Sequence, residues 1–146
     1  MKSVYPIELL IVDDDQGDID LALELLQESK YPLHIQAVTD GEKAIQYLLQ
    51  QPPFENAVRP HIVLLDLNLP RKHGFEVLNV VKQDPYLKSI PVIILSTSAL
   101  DKDILKSYAL GANCYLTKPM DYNGFVQVIR SLDNFWFTSV QLPQDE

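Results

Sequence analysis

His61-Ile62-Val63-Leu64-Leu65-Asp66-Leu67-Asn68-Leu69-Pro70 is the stretch that decides the fold. Four β-prone apolar residues run without a polar interruption and stop at an aspartate. A strand with one wet face alternates apolar and polar residues; a continuous run implies burial on both faces, as in a parallel sheet covered by helices. The residues after Asp66 are a loop rich in proline and charge.

The same pattern recurs outward from this strand. Ile7–Val12 reads as a first buried strand and His34–Val38 as a second. Val92–Leu95, entered through Pro91, is a fourth, and Cys114–Thr117 a short fifth. Between them lie helical patterns. Ile19, Ala22, Leu23 and Leu26 recur at helical spacing. Asp40 suits the cap of a helix whose apolar face is Ala44, Ile45, Leu48 and Leu49, ended by Pro52-Pro53. A third helix spans about Gly74 to Gln83 and breaks at Asp84-Pro85. Asp101 opens a fourth carrying Ile104, Leu105, Tyr108 and Ala109, with Gly111 at its C-terminal cap. The last presents Phe125, Ile129, Leu132 and Trp136 on one face. Five strands alternating with five helices predict an α/β, doubly wound, five-stranded parallel sheet. The expected organisation is a single domain over residues 1–146, with 137–146 a C-terminal extension.

Charge and cysteine content narrow the function. The 146 residues carry a formal net charge of −8, which argues against direct nucleic-acid binding, where clustered Lys and Arg are needed. One cysteine, Cys114, fits a reducing cytosol. Met1–Pro6 lacks the apolar run of a signal peptide, and no run approaches the ~20 residues that cross a bilayer. A cytoplasmic protein without membrane contact is expected.

In such a sheet, ligands bind beyond the carboxyl ends of the strands. Those ends carry Asp13-Asp14-Asp15, Asp66, Ser96-Thr97-Ser98 and Lys118-Pro119. If the first and third strands are neighbours, ~4.8 Å apart, their carboxylates repel and invite a divalent cation. All-oxygen donors suit Mg²⁺, with Mn²⁺ as the alternative. A carboxylate beside such an ion can attack phosphorus and become an acyl phosphate. Lys118 is then placed to neutralise one phosphoryl oxygen and the Ser96 hydroxyl to bond another.

Leu10-Ile11-Val12-Asp13-Asp14-Asp15, Leu64–Pro70, Gly74, the Pro91–Ser96 strand and Tyr115-Leu116-Thr117-Lys118-Pro119, in this order and spacing, resemble the receiver domains of two-component response regulators. The resemblance runs from about Ile7 to Ser131. It implies the CheY-like (flavodoxin-like) strand order 2-1-3-4-5. It implies Asp66 as phosphoacceptor, with Ser96 and Lys118 assisting. Asp13, Asp14, Asp66 and the backbone carbonyl of Asn68 would hold the metal, and Ser96 and Tyr115 would form the switch. A cis Lys118–Pro119 bond is also implied.

The loop from Gln50 to Pro60, the string Leu67–Lys72, the segments Asp84–Lys88 and Asn113–Tyr115, and the ending Phe135-Trp136-Phe137 resemble the regulators paired with cyanobacterial and bacterial phytochromes. That implies a photoreceptor histidine kinase as phosphodonor and a homodimer. Asp15, His73 and Met120 depart from the family's usual residues without removing a required group.

Three rivals carry less. A haloacid-dehalogenase-type phosphatase needs a second acid two residues after the nucleophile, and Asn68 stands there. A nucleotide-binding domain needs a glycine-rich loop after the first strand, where three aspartates would repel a pyrophosphate. A phosphorylation-independent receiver-like interaction module is the alternative that keeps the fold.

Overall fold

The computed structural model describes residues 6–144. The reading of the first residues as lacking a signal peptide therefore lies outside the described residues, apart from Pro6. A five-stranded parallel sheet runs in the order β2-β1-β3-β4-β5. The strands are β1 (Ile7–Val12), β2 (Leu33–Val38), β3 (Ile62–Leu65), β4 (Val92–Ser96) and β5 (Cys114–Thr117). Helices α1 (Gln16–Leu26), α2 (Gly41–Leu48), α3 (Gly74–Gln83), α4 (Asp101–Ala109) and α5 (Tyr122–Leu132) connect and follow them.

The uninterrupted apolar strands do what two covered faces require. Leu10, Val12, Val63, Leu65, Val92 and Ile94 point into one core, shared with Ala44 and Leu48 of α2 and Val77, Leu78 and Val81 of α3. The intervening Leu9, Ile11, Ile62, Leu64, Ile93 and Leu95 point into the other, with Ile19, Ala22 and Leu26 of α1 and Phe125, Ile129 and Leu132 of α5. The edge strands β2 and β5 are only partly covered.

Local chemistry sets the helix starts. Asp15, Asp40 and Asp121 each accept a hydrogen bond from a backbone amide of the first turn that follows. His73 caps α3 in a reciprocal arrangement with Glu76, whose carboxylate accepts the His73 amide at 3.0 Å.

Four expectations need correction. Helix α2 ends at Leu48, before Pro52-Pro53, where Gln50 takes a left-handed conformation at φ 56°; Tyr47, rather than Ile45 or Leu49, joins Ala44 and Leu48 among its buried residues. Helix α4 does not bury the face read for it: Leu105 is 72% exposed and Tyr108 48%, while Ser107 is buried. Beyond α5 the chain widens into a π-helical turn, Asp133–Phe137. The wider turn brings Phe137 into the core at 1% exposure and leaves Trp136 half-buried. Finally, the cis peptide among the described residues joins Pro52 to Pro53, not Lys118 to Pro119; both bonds precede a proline, where the two isomers differ little in energy and sequence alone does not choose.

Candidate functional site

Register brings the polar strand ends together. Val12 pairs with Leu65, so Asp13 and Asp66 emerge side by side from β1 and β3. The Asp66 amide donates to the Val12 carbonyl at 2.9 Å, and the Asp13 amide to the Val38 carbonyl at 3.1 Å. On the other side of β3, Ser96 pairs with Thr117, and the Lys118 amide donates to the Ser96 carbonyl at 2.6 Å. The sheet thus delivers two carboxylates, a hydroxyl and an ammonium to one edge.

Carboxylate oxygens of Asp13, Asp14 and Asp66 all lie within 4.8 Å of one another; Asp13 and Asp66 are buried and Asp14 is exposed. Lys118, 6% exposed, reaches into this group. Its Nζ lies 2.8 Å from Asp13 Oδ2 and 3.2 Å from Asp66 Oδ2. It also lies 2.9 Å from Asp18 Oδ2, on the first turn of α1. The second Asp66 oxygen, Oδ1, is buried and has no hydrogen-bond partner.

Burial opposes ionisation at both ends of the Lys118–Asp13 pair. For Asp13 burial wins: its carboxyl is held above the usual range, against the pull of Lys118 and with a small push from Asp66. For Lys118 burial would lower the ammonium's value, but the bonds from Asp13 and Asp18 and the charge of Asp66 outweigh it and raise it. The lysine stays cationic, with more negative groups around it than it can neutralise.

That excess is the observation that tests whether a cation fits. A buried carboxylate oxygen with no donor, in a trio of close carboxylates, is an unsatisfied hard-oxygen site. Asp13, Asp14 and Asp66 therefore suit a divalent ion that prefers oxygen.

The other predicted residues lie around this centre. Ser96 is fully buried at the end of β4, and its Oγ accepts the Ser98 amide at 3.2 Å. Asn68 is exposed, two residues beyond Asp66. Tyr115 is half-buried; its hydroxyl donates to the Ser98 carbonyl at 2.8 Å, and its amide donates to the Tyr108 hydroxyl at 3.0 Å. Gly74 holds the loop after Asp66 close: a β-carbon there would lie 2.5 Å from the Asp66 carbonyl oxygen.

One contributor, Asp18, escaped the sequence reading, and Ser98, legible as part of a strand end, does more than its position told. Asp18 stands five residues after Asp13, on the first turn of α1, and belongs to none of the strand ends from which the site was read. Ser98 joins three elements at once: its amide bonds Ser96, its carbonyl bonds Tyr115 and its Oγ donates to Asp103 of α4 at 2.6 Å. Asp15, the extra acid, is accounted for by capping α1 through the Asp18 amide. The histidines are structural: His34 pairs with Glu8 at 2.6 Å, His61 accepts the Glu8 amide and His73 caps α3.

Comparison with known proteins agrees with this geometry. The family model for the response regulator receiver domain matches residues 9–130. Response regulator Rcp1 of Synechocystis is 41% identical over 142 residues, 97% of each chain. The crystal structure of the Mn²⁺-bound form of Rcp1 superposes with a TM-score of 0.93, covering 95% of this chain and 100% of that one. The phosphorylated cyanobacterial phytochrome response regulator RcpA, at 42% identity, also gives 0.93, over 96% of this chain and 100% of its own.

Proposed function

The chain belongs to the response regulator receiver family, with phytochrome-associated regulators among its relatives, and on that premise we propose that it accepts a phosphoryl group on Asp66 from a sensor histidine kinase. The observation that carries this reading is Asp66 itself. One of its oxygens is bonded to Lys118 and the other is buried without a partner, beside Asp13 and Asp14.

In the proposed reaction an Asp66 oxygen attacks the phosphorus of a phosphohistidine. The O–P bond forms as the P–N bond breaks, and the imidazole nitrogen leaves with the electron pair. Lys118 faces the charge gathered on the phosphoryl oxygens. Asp13, Asp14, Asp66 and the Asn68 carbonyl would hold Mg²⁺, or Mn²⁺ as in the Rcp1 crystal form. A bound divalent cation supplies the further positive charge that phosphoryl transfer demands.

The modified Asp66 would draw the Ser96 hydroxyl away from the Ser98 amide. Ser98 also holds the Tyr115 hydroxyl and Asp103, so its displacement would loosen Tyr115 and α4 together. Phosphorylation would thereby bias a two-state equilibrium of the α4–β5–α5 face. The kinase implied by the relatives is a bacterial or cyanobacterial phytochrome, and the setting is the cytoplasm, without direct contact with nucleic acid or membrane. Residues 1–146 would act as one receiver unit, with 137–146 its C-terminal extension. Output through a homodimer is supported by an open groove of about 370 Å³ on that face, lined by Tyr108, Leu116, Phe135 and Trp136 among others. Phe135 there is 58% exposed.

Intact-mass spectrometry after incubation with acetyl phosphate tests the central claim. The expected result is a Mg²⁺-dependent gain of one phosphoryl group that Asp66→Asn loses while keeping its fold. No gain from acetyl phosphate or from a phosphorylated histidine kinase would refute it and favour a phosphorylation-independent interaction module.

A further inference from the structure

An ammonium has three hydrogens to donate, and Lys118 has three carboxylates around it: Asp13 at 2.8 Å, Asp18 at 2.9 Å and Asp66 at 3.2 Å. Two of these belong to the trio that suits a divalent ion; Asp18 does not. Asp18 is therefore the one partner of Lys118 with no second claim on its oxygens. Its backbone is fixed as well, because its amide donates to Asp15 Oδ1 at 3.1 Å in the cap of α1. Its carboxylate is largely sheltered, with a side-chain exposure of 28%.

Building on the reading of Asp66 as phosphoacceptor, we propose that Asp18 is a positioning residue for phosphoryl transfer: it anchors Lys118 so that the ammonium stays aimed at Asp66 when the other carboxylates are engaged elsewhere. The rest of the Lys118 side chain comes from the end of β5, across the sheet edge from α1. Without Asp18, the lysine is held only by groups whose oxygens the reaction itself requires. It would then share its donors with water and face a phosphoryl oxygen for a smaller fraction of the time.

The anchor and a bystander charge make opposite predictions. A bystander carboxylate repels an anionic phosphodonor, so deleting it would speed phosphorylation. An anchor, when deleted, slows it. Initial rates with acetyl phosphate and Mg²⁺, read by intact mass, separate the two. Asp18→Ala is expected to label roughly tenfold more slowly, the scale of one lost charge-assisted hydrogen bond. Asp18→Asn, which keeps an acceptor oxygen, is expected to fall between Ala and wild type. In a Lys118→Met background, Asp18→Ala should add no further loss, because its effect runs through the lysine.

A wild-type or faster rate in Asp18→Ala overturns the proposal, and so does a loss that persists without Lys118. If the wild type itself takes no phosphoryl group, the reading of Asp66 fails, and the anchor is judged by NMR of the Lys118 ammonium in Mg²⁺. There Asp18→Ala should shift its ¹⁵Nζ resonance and speed its hydrogen exchange; an unchanged signal overturns the anchor independently.

Discussion

Helices α3 and α4 flank β4 in sequence, yet they are held in opposite ways. α3 buries Gly74, Val77, Leu78 and Val81, starts in a reciprocal cap and follows directly from the loop that carries Asp66. α4 buries only Ser107, has no side-chain cap and contributes no residue to either buried core cluster. The side-chain bonds that tie α4 to its neighbours are polar: Ser98 to Asp103, and the Tyr115 amide to the Tyr108 hydroxyl. Apolar burial is non-directional and fails only when a core is opened. A few hydrogen bonds, each worth about 0.5–1.5 kcal/mol net, can be exchanged singly. On the proposed function, the loop that carries the phosphoacceptor adjoins the tightly packed helix, and the switch falls on the helix held by exchangeable bonds.

The largest expected effect comes from opening the rigid side. Leu78 is fully buried beside Val77 and Val81. Leu78→Ala should cost about 2–5 kcal/mol, read as a lower urea midpoint with an unchanged slope. A smaller loss would mean that α3 is no better packed than α4. Next is Gly41, the first residue of α2, where a β-carbon would lie 1.9 Å from the Lys72 carbonyl oxygen. Its amide also donates to the Pro70 carbonyl, so α2 grips the loop after Asp66 through this glycine. Gly41→Ala should cost about 1–3 kcal/mol and shift the amide resonances of residues 68–73. An unperturbed loop would show that this grip is dispensable.

Tyr115→Phe tests the polar side. It removes the bond to the Ser98 carbonyl and leaves the ring. The expected cost is about 0.5–1.5 kcal/mol, with faster amide exchange in residues 97–109 and none in α3. Faster exchange in both helices would contradict a division between them.

The rigid side was also the more legible one in the sequence. Ile62–Leu65 had to be a covered strand, because no half-wet surface tolerates four such residues in a row, and Asp66 followed at its end. The reading of α3 over about Gly74 to Gln83 holds to the residue, and the structure buries Val77, Leu78 and Val81 along it. α4 left a false trace. Ile104, Leu105 and Tyr108 have helical spacing, but periodicity reports only that a stripe exists, not that something covers it. The π-helical turn at Asp133–Phe137 was hidden similarly. A spacing of 3.6 selects Trp136 after Leu132, and only the widened turn brings Phe137 inward. At the site, Asp13, Asp66, Ser96 and Lys118 were legible as strand ends. Asp18 was not, because its partner is 100 residues away and only the closing of the sheet brings them within 2.9 Å.

The smallest effect is the most exacting test of the contrast. Leu105 is 72% exposed on α4. In a monomer, Leu105→Lys should alter stability by no more than about 0.5 kcal/mol, since little buried area is lost. Tyr108, on the same helix, lines the groove proposed above for a second copy. If that copy also covers Leu105, the substitution weakens the pair and not the fold. Its cost should then be near zero at nanomolar protein and should grow with concentration, because association stabilises by mass action. Urea midpoints at two concentrations, for wild type and Leu105→Lys, distinguish the cases. A cost of 2 kcal/mol or more at nanomolar dilution, on the scale of a buried leucine, would place Leu105 within the monomer's own packing. The difference between the two helices would then collapse.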